Sequence, residues 1–301
     1  MNRNEVLKTI LTKKADIADS SARVYTTNLM NVLKHFGWES LKYFNSKYKE
    51  VLAYLATLVP QKAKGILSSV LAVASTKKAI EAYQKVMGEM ANKVKEVEQK
   101  QEKTDKQEES WGSWDDVMKR YHEVEEDALP LFKKTSWTPA QMKAMQHYVV
   151  LSCYCLIPPR RIADYTGFKV KDIDTKEDNY YDEDKKQLVF NQYKTAKTYG
   201  MQMVDCPLAL QKVFDLWYPV ASKYSEYLLF NSYGDAMTQP QLTKMINSIF
   251  DKKISASMLR HIYISDEVLK DVPKMEDLQK IASDMGHSTG QQMLYKLHSK
   301  D

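Results

Sequence analysis

Chain breakers are rare in this sequence. Nine glycines and nine prolines are spread over 301 residues, so few positions turn the backbone sharply. All-β sandwiches and barrels need such turns at short, regular intervals. A chain that lacks them is predicted to be mainly helical. Hydrophobic residues make up 44% and charged residues 28%, which suits a packed core and excludes disorder throughout. The length fits one large domain or two ordinary ones.

Residues 1–90 read as helical. In SSARVYTTNLMNVLKHFG, residues 20–37, the serines offer N-caps. Val24, Leu29, Val32, Leu33 and Phe36 recur at helical spacing, and Gly37 is a C-cap candidate. Further helices are predicted at about 47–58, 62–73 and 76–92. Residues 92–110, NKVKEVEQKQEKTDKQEES, are nearly free of apolar side chains and carry mixed charge. They read as a solvated helix end running into a linker. SWGSWDDVMKRYHEVEED then restores aromatic content and suits packing on either side. The division expected is a helical domain at 1–95, a charged linker region at 96–135 and a second domain at 136–301.

The second domain opens with Thr138-Pro139, a good helix start. AQMKAMQHYVVLSCYCL is a mostly apolar helix that Pro158-Pro159 ends. KQLVFNQYKTAKTYGMQMVDCP, residues 186–207, has strand character on both sides of a polar turn. It reads as a hairpin with Lys194 and Lys197 near its tip. Helices are predicted at about 207–218, 239–250, 257–270 and 275–284. The expected fold class is mainly α with a small β-sheet or hairpin, in two domains.

Several functions lose support from the residues alone. There is no GxxxxGK[ST] loop, no GxGxxG and no HExxH. Cys153, Cys155 and Cys206 give an odd count and no CxxC spacing, so neither a disulfide framework nor a zinc site is expected. A reducing, intracellular setting fits, with no metal and no cofactor. The N-terminus lacks an apolar run of signal-peptide type. The longest apolar zone, residues 51–75, is broken by Pro60, Lys62 and Lys64. It reads as two buried helices, and no membrane partner is expected. The net charge of +5 and pI near 8.7 are compatible with nucleic acid without arguing for it.

What remains is an ordered set of cations. Arg160 and Arg161 follow the two prolines, with Asp164 close behind. Lys194 and Lys197 sit on the hairpin, Arg260-His261 in SASMLRHIYIS, His287 in MGHS, and Tyr295 eight residues after it. Each has an ordinary reading: an ion pair with Asp164, a solvated lysine, a capping histidine, a packed tyrosine among 19. Adjacent arginines are also the side chains best shaped to grip a phosphate through two parallel hydrogen bonds.

Taken in order, these residues resemble the signature of the tyrosine recombinases, the phage-integrase family, whose catalytic domain shares fold and chemistry with type IB topoisomerases. RRIAD supplies Arg161 and Asp164, YKTAKTYG the hairpin lysine, SMLRH the second arginine, and MGHS followed by QQMLY the histidine and tyrosine. The resemblance covers about residues 137–301. Residues 1–90 are similar to the family's helical core-binding domain by position and helicity, completing a DNA clamp. The Pro-Pro-Arg-Arg and KTxKTYG details look like variants from large DNA viruses, virophages and mobile elements.

The resemblance implies a site-specific recombinase or integrase. Tyr295 would attack a DNA phosphodiester, leaving a 3′-phosphotyrosine and a free 5′-hydroxyl, without ATP or metal. Arg161 and Arg260 would meet the non-bridging oxygens, with Asp164 orienting Arg161. Arg160 would hold the neighbouring backbone or stand in for Arg161. Lys194 or Lys197 would protonate the leaving oxygen, the motif favouring Lys194. Ser257 and His287 would donate hydrogen bonds to phosphate, and His261 would contact DNA. The implied partners are double-stranded DNA with specific sites and further copies of the chain, as a tetramer on two duplexes. The implied location is wherever the viral or mobile-element DNA resides.

Three features depart from the pattern. Ser257 stands where the family has a histidine. The interval from His287 to Tyr295 is one residue shorter than usual, and six residues follow Tyr295. Two alternatives stay open: a sequence-specific DNA-binding protein with weak or lost strand transfer, and a topoisomerase-like enzyme that relaxes DNA.

Overall fold

The computed structural model of the chain describes residues 1–110 and 112–284, the side chains of Lys106, Ser110 and residues 280–284 excepted. The fold is mainly α-helical with one small antiparallel sheet. Residues 1–102 group with residues 273–284 of the described chain, and residues 103–272 form a second compact unit.

The first unit begins with α1 (Arg3–Lys13), started by a reciprocal cap between Asn2 and Glu5. Then come α2 (Asp19–Phe36), α3 (Tyr43–Ser46), α4 (Tyr48–Ala56), α5 (Pro60–Leu71) and α6 (Lys77–Gln99). Gly37 ends α2 at φ +65°, as expected. The serine caps do not form: Ala18 is the N-cap and offers no side-chain bond. Val24 is 57% exposed and lies outside the core. The buried face of α2 runs through Ala22, Thr26, Leu29 and Leu33 instead, a row Val24 does not share. Phe44, Leu55, Leu67 and Tyr83 are buried in this unit's core, and the Tyr83 hydroxyl donates to the Phe44 carbonyl at 2.7 Å. α6 continues to Gln99, with Met90 and Val94 on its buried side.

In the second unit, α7 (Asp105–Ser110) precedes α8 (Trp114–Ala128). Trp114, Val117, Tyr121, Val124 and Ala128 are buried on one face of α8. They join the core built around α9 (Pro139–Cys155), so this part of the charged stretch is integral to the second unit. Thr138 caps α9 reciprocally with Gln141. Met145, Tyr148, Val149, Val150, Leu151, Cys153 and Tyr154 are buried, covering most of its circumference. The helix stops at Cys155, just before the two prolines.

The sheet has the order β1 (Tyr180–Asp182), β2 (Gln187–Phe190) and β3 (Gln202–Asp205). Gln187 faces Asp205 and Phe190 faces Gln202 in the expected hairpin. A one-turn helix, α10 (Ala196–Tyr199), sits inside its loop. Next are α11 (Leu208–Ala221), α12 (Gln239–Phe250) and α13 (Ala256–Tyr263). The helix expected over 257–270 instead passes at Ile264 into a π-helical turn ending at Val268. The last described helix, α14 (Met275–Asp284), belongs with the first unit, where the Met275 amide donates to Gln101 Oε1 at 2.8 Å. Among the described residues no helix is long and apolar enough to cross a membrane.

A candidate anion site

The turn after α9, the β2–β3 loop and α13 converge on one cavity in the second unit. Its volume is about 370 Å³, and Arg160, Arg161, Asp164 and Arg260 all line it. Three arginines and one aspartate therefore share its wall.

The aspartate is paired with Arg160. Asp164 Oδ2 accepts from Arg160 Nε at 3.0 Å, with the Asp164 side chain 2% exposed and that of Arg160 16% exposed. A second guanidinium nitrogen of Arg160 donates to Gln202 Oε1 at 3.0 Å. Its Cζ lies 3.8 Å from the centroid of the Phe190 ring, a cation–π contact. The expectation that Asp164 orients Arg161 is therefore corrected. Arg161 is the extended residue ahead of the 3₁₀ turn Ile162–Asp164 (φ −69°, ψ 147°), so its side chain is not carried on the turn that bears Asp164. Burial raises the Asp164 pKa; the charge and hydrogen bond of Arg160, and the charge of Arg161, oppose it without cancelling it. Asp164 Oδ1 is buried without a hydrogen-bond partner among the described residues.

Arg161 and Arg260 are half-buried. Neither guanidinium makes a hydrogen bond or ion pair with a described residue. Arg260 is carried on α13, whose start is fixed by the Ser255 hydroxyl accepting from the Met258 amide. Beside it, burial drives the Tyr154 pKa up, and the charge of Arg260 draws it back slightly. Two partially desolvated arginines with open donors make a strong anion trap.

Lys194 and Lys197 are both exposed and do not line the cavity. Their loop does: Tyr193, Thr195 and Tyr199 form part of its wall. Ser257 is exposed on the first turn of α13, three residues before Arg260, and His261 is exposed beside it. Neither reaches the cavity wall. His287 and Tyr295 lie outside the described residues.

Sequence reading missed Gln202, Phe190 and Asn179. Asn179 is 3% exposed and ties the arginine turn to the loop. Its Nδ2 donates to the Asp164 carbonyl at 2.9 Å and to the Gln192 carbonyl at 2.7 Å. Its Oδ1 accepts from the Gln192 amide at 2.8 Å. The hairpin register alone pairs Phe190 with Gln202 and so marks the loop's neck. No sequence pattern marks Asn179.

A larger cavity of about 970 Å³ is walled by Trp137, Met142, Tyr224, Phe230 and Met237. It is mostly apolar and shares no residue with the arginine cavity. Charge and open donors single out the smaller one as the candidate site. Among the described residues no group of three or more His, Cys, Asp and Glu side chains is placed to hold a metal ion.

No protein-family model matches the chain, and no curated protein matches it. One matching solved structure is described as a crystal structure of XerA recombinase. It is 13% identical with a TM-score of 0.38, over 100% of this chain and 95% of that one.

Proposed function

We propose that the chain is a DNA strand-transfer enzyme and that the arginine cavity takes the scissile phosphate. The observation that carries this reading is the excess of cations at the cavity. Arg160 is neutralised by Asp164, which leaves Arg161 and Arg260 with open donors at the wall. A pentacoordinate phosphorane gathers charge on its non-bridging oxygens, which two guanidinium forks stabilise. The nucleophile is Tyr295 and the hydrogen-bond donor His287, both assigned by their sequence motif. The tyrosine hydroxyl gives up its proton to solvent, its oxygen forms a bond to phosphorus, and the bond to the 5′-oxygen breaks. Lys194, on the loop beside the cavity, gives that oxygen a proton. The phosphodiester is exchanged for a phosphotyrosine ester, so rejoining requires no further energy source. Recombination between two duplexes needs several such cleavages and favours an assembly of copies.

The test compares the chain with its Tyr295→Phe variant on duplexes selected by binding from a random pool. The native chain is expected to leave a denaturation-resistant protein–DNA adduct, and the variant to bind without one. An adduct with Tyr295→Phe would overturn the choice of nucleophile.

A second reading is a DNA-binding protein without strand transfer. Ser257 favours it, because serine donates a hydrogen bond yet cannot exchange protons as histidine does. A nicked substrate that traps any covalent intermediate decides between the two.

A further inference from the structure

We propose that Arg160 is a positioning residue that clamps the lysine loop, residues 191–201, to the arginine turn. The proposal rests on the strand-transfer reading for its purpose and on geometry for its existence.

Phe190 and Gln202 are paired in register, the last pair of the β2–β3 ladder before the loop. Arg160 touches both, stacking on Phe190 and donating to Gln202. One guanidinium therefore grips the loop at both sides of its neck. It also lies 5.6 Å from the centroid of the Tyr193 ring. The Tyr193 hydroxyl donates to the Gly200 carbonyl at 2.6 Å, closing the loop on itself. The other end of the clamp is Asp164, on the turn that follows Arg161. Asn179 adds a parallel strap from the Asp164 carbonyl to Gln192. Lys194 follows Tyr193 directly, so its backbone is set by these ties while its side chain stays free.

The consequence is chemical. A general acid works only when its proton lies within hydrogen-bond reach of the leaving oxygen. Arg161 and Lys194 sit 33 residues apart in the chain, yet both must address one phosphate. Arg160 makes their spacing a fixed property of the fold. Only arginine supplies two in-plane bonds in different directions together with a flat face for stacking. This role is distinct from phosphate binding: Nε and one terminal nitrogen of Arg160 are already engaged by protein.

Two measurements test this. The first is hydrogen exchange on the free chain. Arg160→Gln is expected to speed exchange of the Ala196, Tyr199 and Gly200 amides about tenfold, with α9 and α12 unchanged. Unchanged loop amides would overturn the clamp. The second is adduct formation on two versions of one selected duplex, with oxygen or sulfur bridging phosphorus to the 5′-carbon at the cleaved position. A thiolate leaves without a proton donor, so a fault in the acid disappears on the sulfur substrate. Arg160→Gln and Lys194→Ala are both expected to slow adduct formation about 100-fold on oxygen and to recover on sulfur. Arg260→Ala is expected to stay slow on both, and Arg160→Lys to behave as Arg160→Gln. Equal loss on both substrates, or weaker DNA binding by Arg160→Gln, would assign Arg160 to phosphate contact and overturn the proposal. If the native chain forms no adduct on either substrate, strand transfer falls and the positioning of an acid with it. Hydrogen exchange then still decides the clamp itself.

Discussion

Asp164 binds Arg160 and leaves Arg161 unpaired: Oδ2 lies 3.0 Å from the Arg160 Nε. Adjacent arginines thus divide the work. One completes a buried ion pair and the other keeps its donors for a ligand. Removing the carboxylate strands a buried guanidinium, which costs about 3 kcal/mol or more. Asp164→Ala is expected to lower stability by that amount, and Asp164→Asn by less, because an amide oxygen still accepts from Nε. The midpoint of urea unfolding measures both.

Arg161→Ala and Arg260→Ala should separate activity from stability. Neither side chain has a partner among the described residues, so each substitution is expected to shift stability by less than about 1 kcal/mol. Adduct formation should fall about 100-fold or more, the scale of losing one preorganised oxyanion donor. The salt dependence of DNA binding should lose about one unit of slope for each arginine removed. Thermal melting and binding titrations at several salt concentrations provide the check.

His147 makes stability depend on pH. Burial pushes its pKa down to about 4, with Lys143 and Arg120 adding repulsion. Its Nε2 lies 3.4 Å from Ser248 Oγ. The unfolded chain binds a proton near pH 6.5 and the folded chain refuses it until about pH 4. Between those values the unfolded state carries more protons, so stability falls as the pH falls. The whole shift corresponds to about 3 kcal/mol, and partial exposure reduces the expected loss to about 2 kcal/mol. Unfolding curves from pH 7 to pH 4 should flatten in His147→Gln.

Gly234 is fixed by two requirements at once. Its φ is +84°, and a Cβ there would meet the Tyr224 carbonyl oxygen at 2.7 Å. Gly234→Ala is expected to cost about 2 kcal/mol or more. A lowered melting temperature with unchanged secondary structure by circular dichroism is the readout.

The elements legible in the sequence are those with their own start signals. Residues 239–250 were bounded correctly because Thr238 and Gln241 form a reciprocal cap around Pro240. The helix from Pro139 has the same signature. β1 escaped notice because three residues, Tyr180–Asp182, are too few to show alternation. Val24 misled because a single apolar residue in an amphipathic helix does not say which face it joins. At the candidate site, the two prolines and two arginines mark a turn that lines the cavity. The assignment of Asp164 needed the extended backbone of Arg161 ahead of the turn, which no spacing rule supplies. Lys194 could be placed on its loop from the hairpin pattern, whereas the ties of Asn179 arise only in three dimensions.

The neck of the β2–β3 loop has an evolutionary consequence. Phe190 and Gln202 are held by one guanidinium, so a residue gained or lost in 191–201 would change the path between two pinned points. The turn at residues 183–186, at the other end of β2, lines no part of the cavity. Among relatives of this chain, insertions should collect at 183–186 and be purged from 191–201. Where the longer loop does vary, position 160 should change with it.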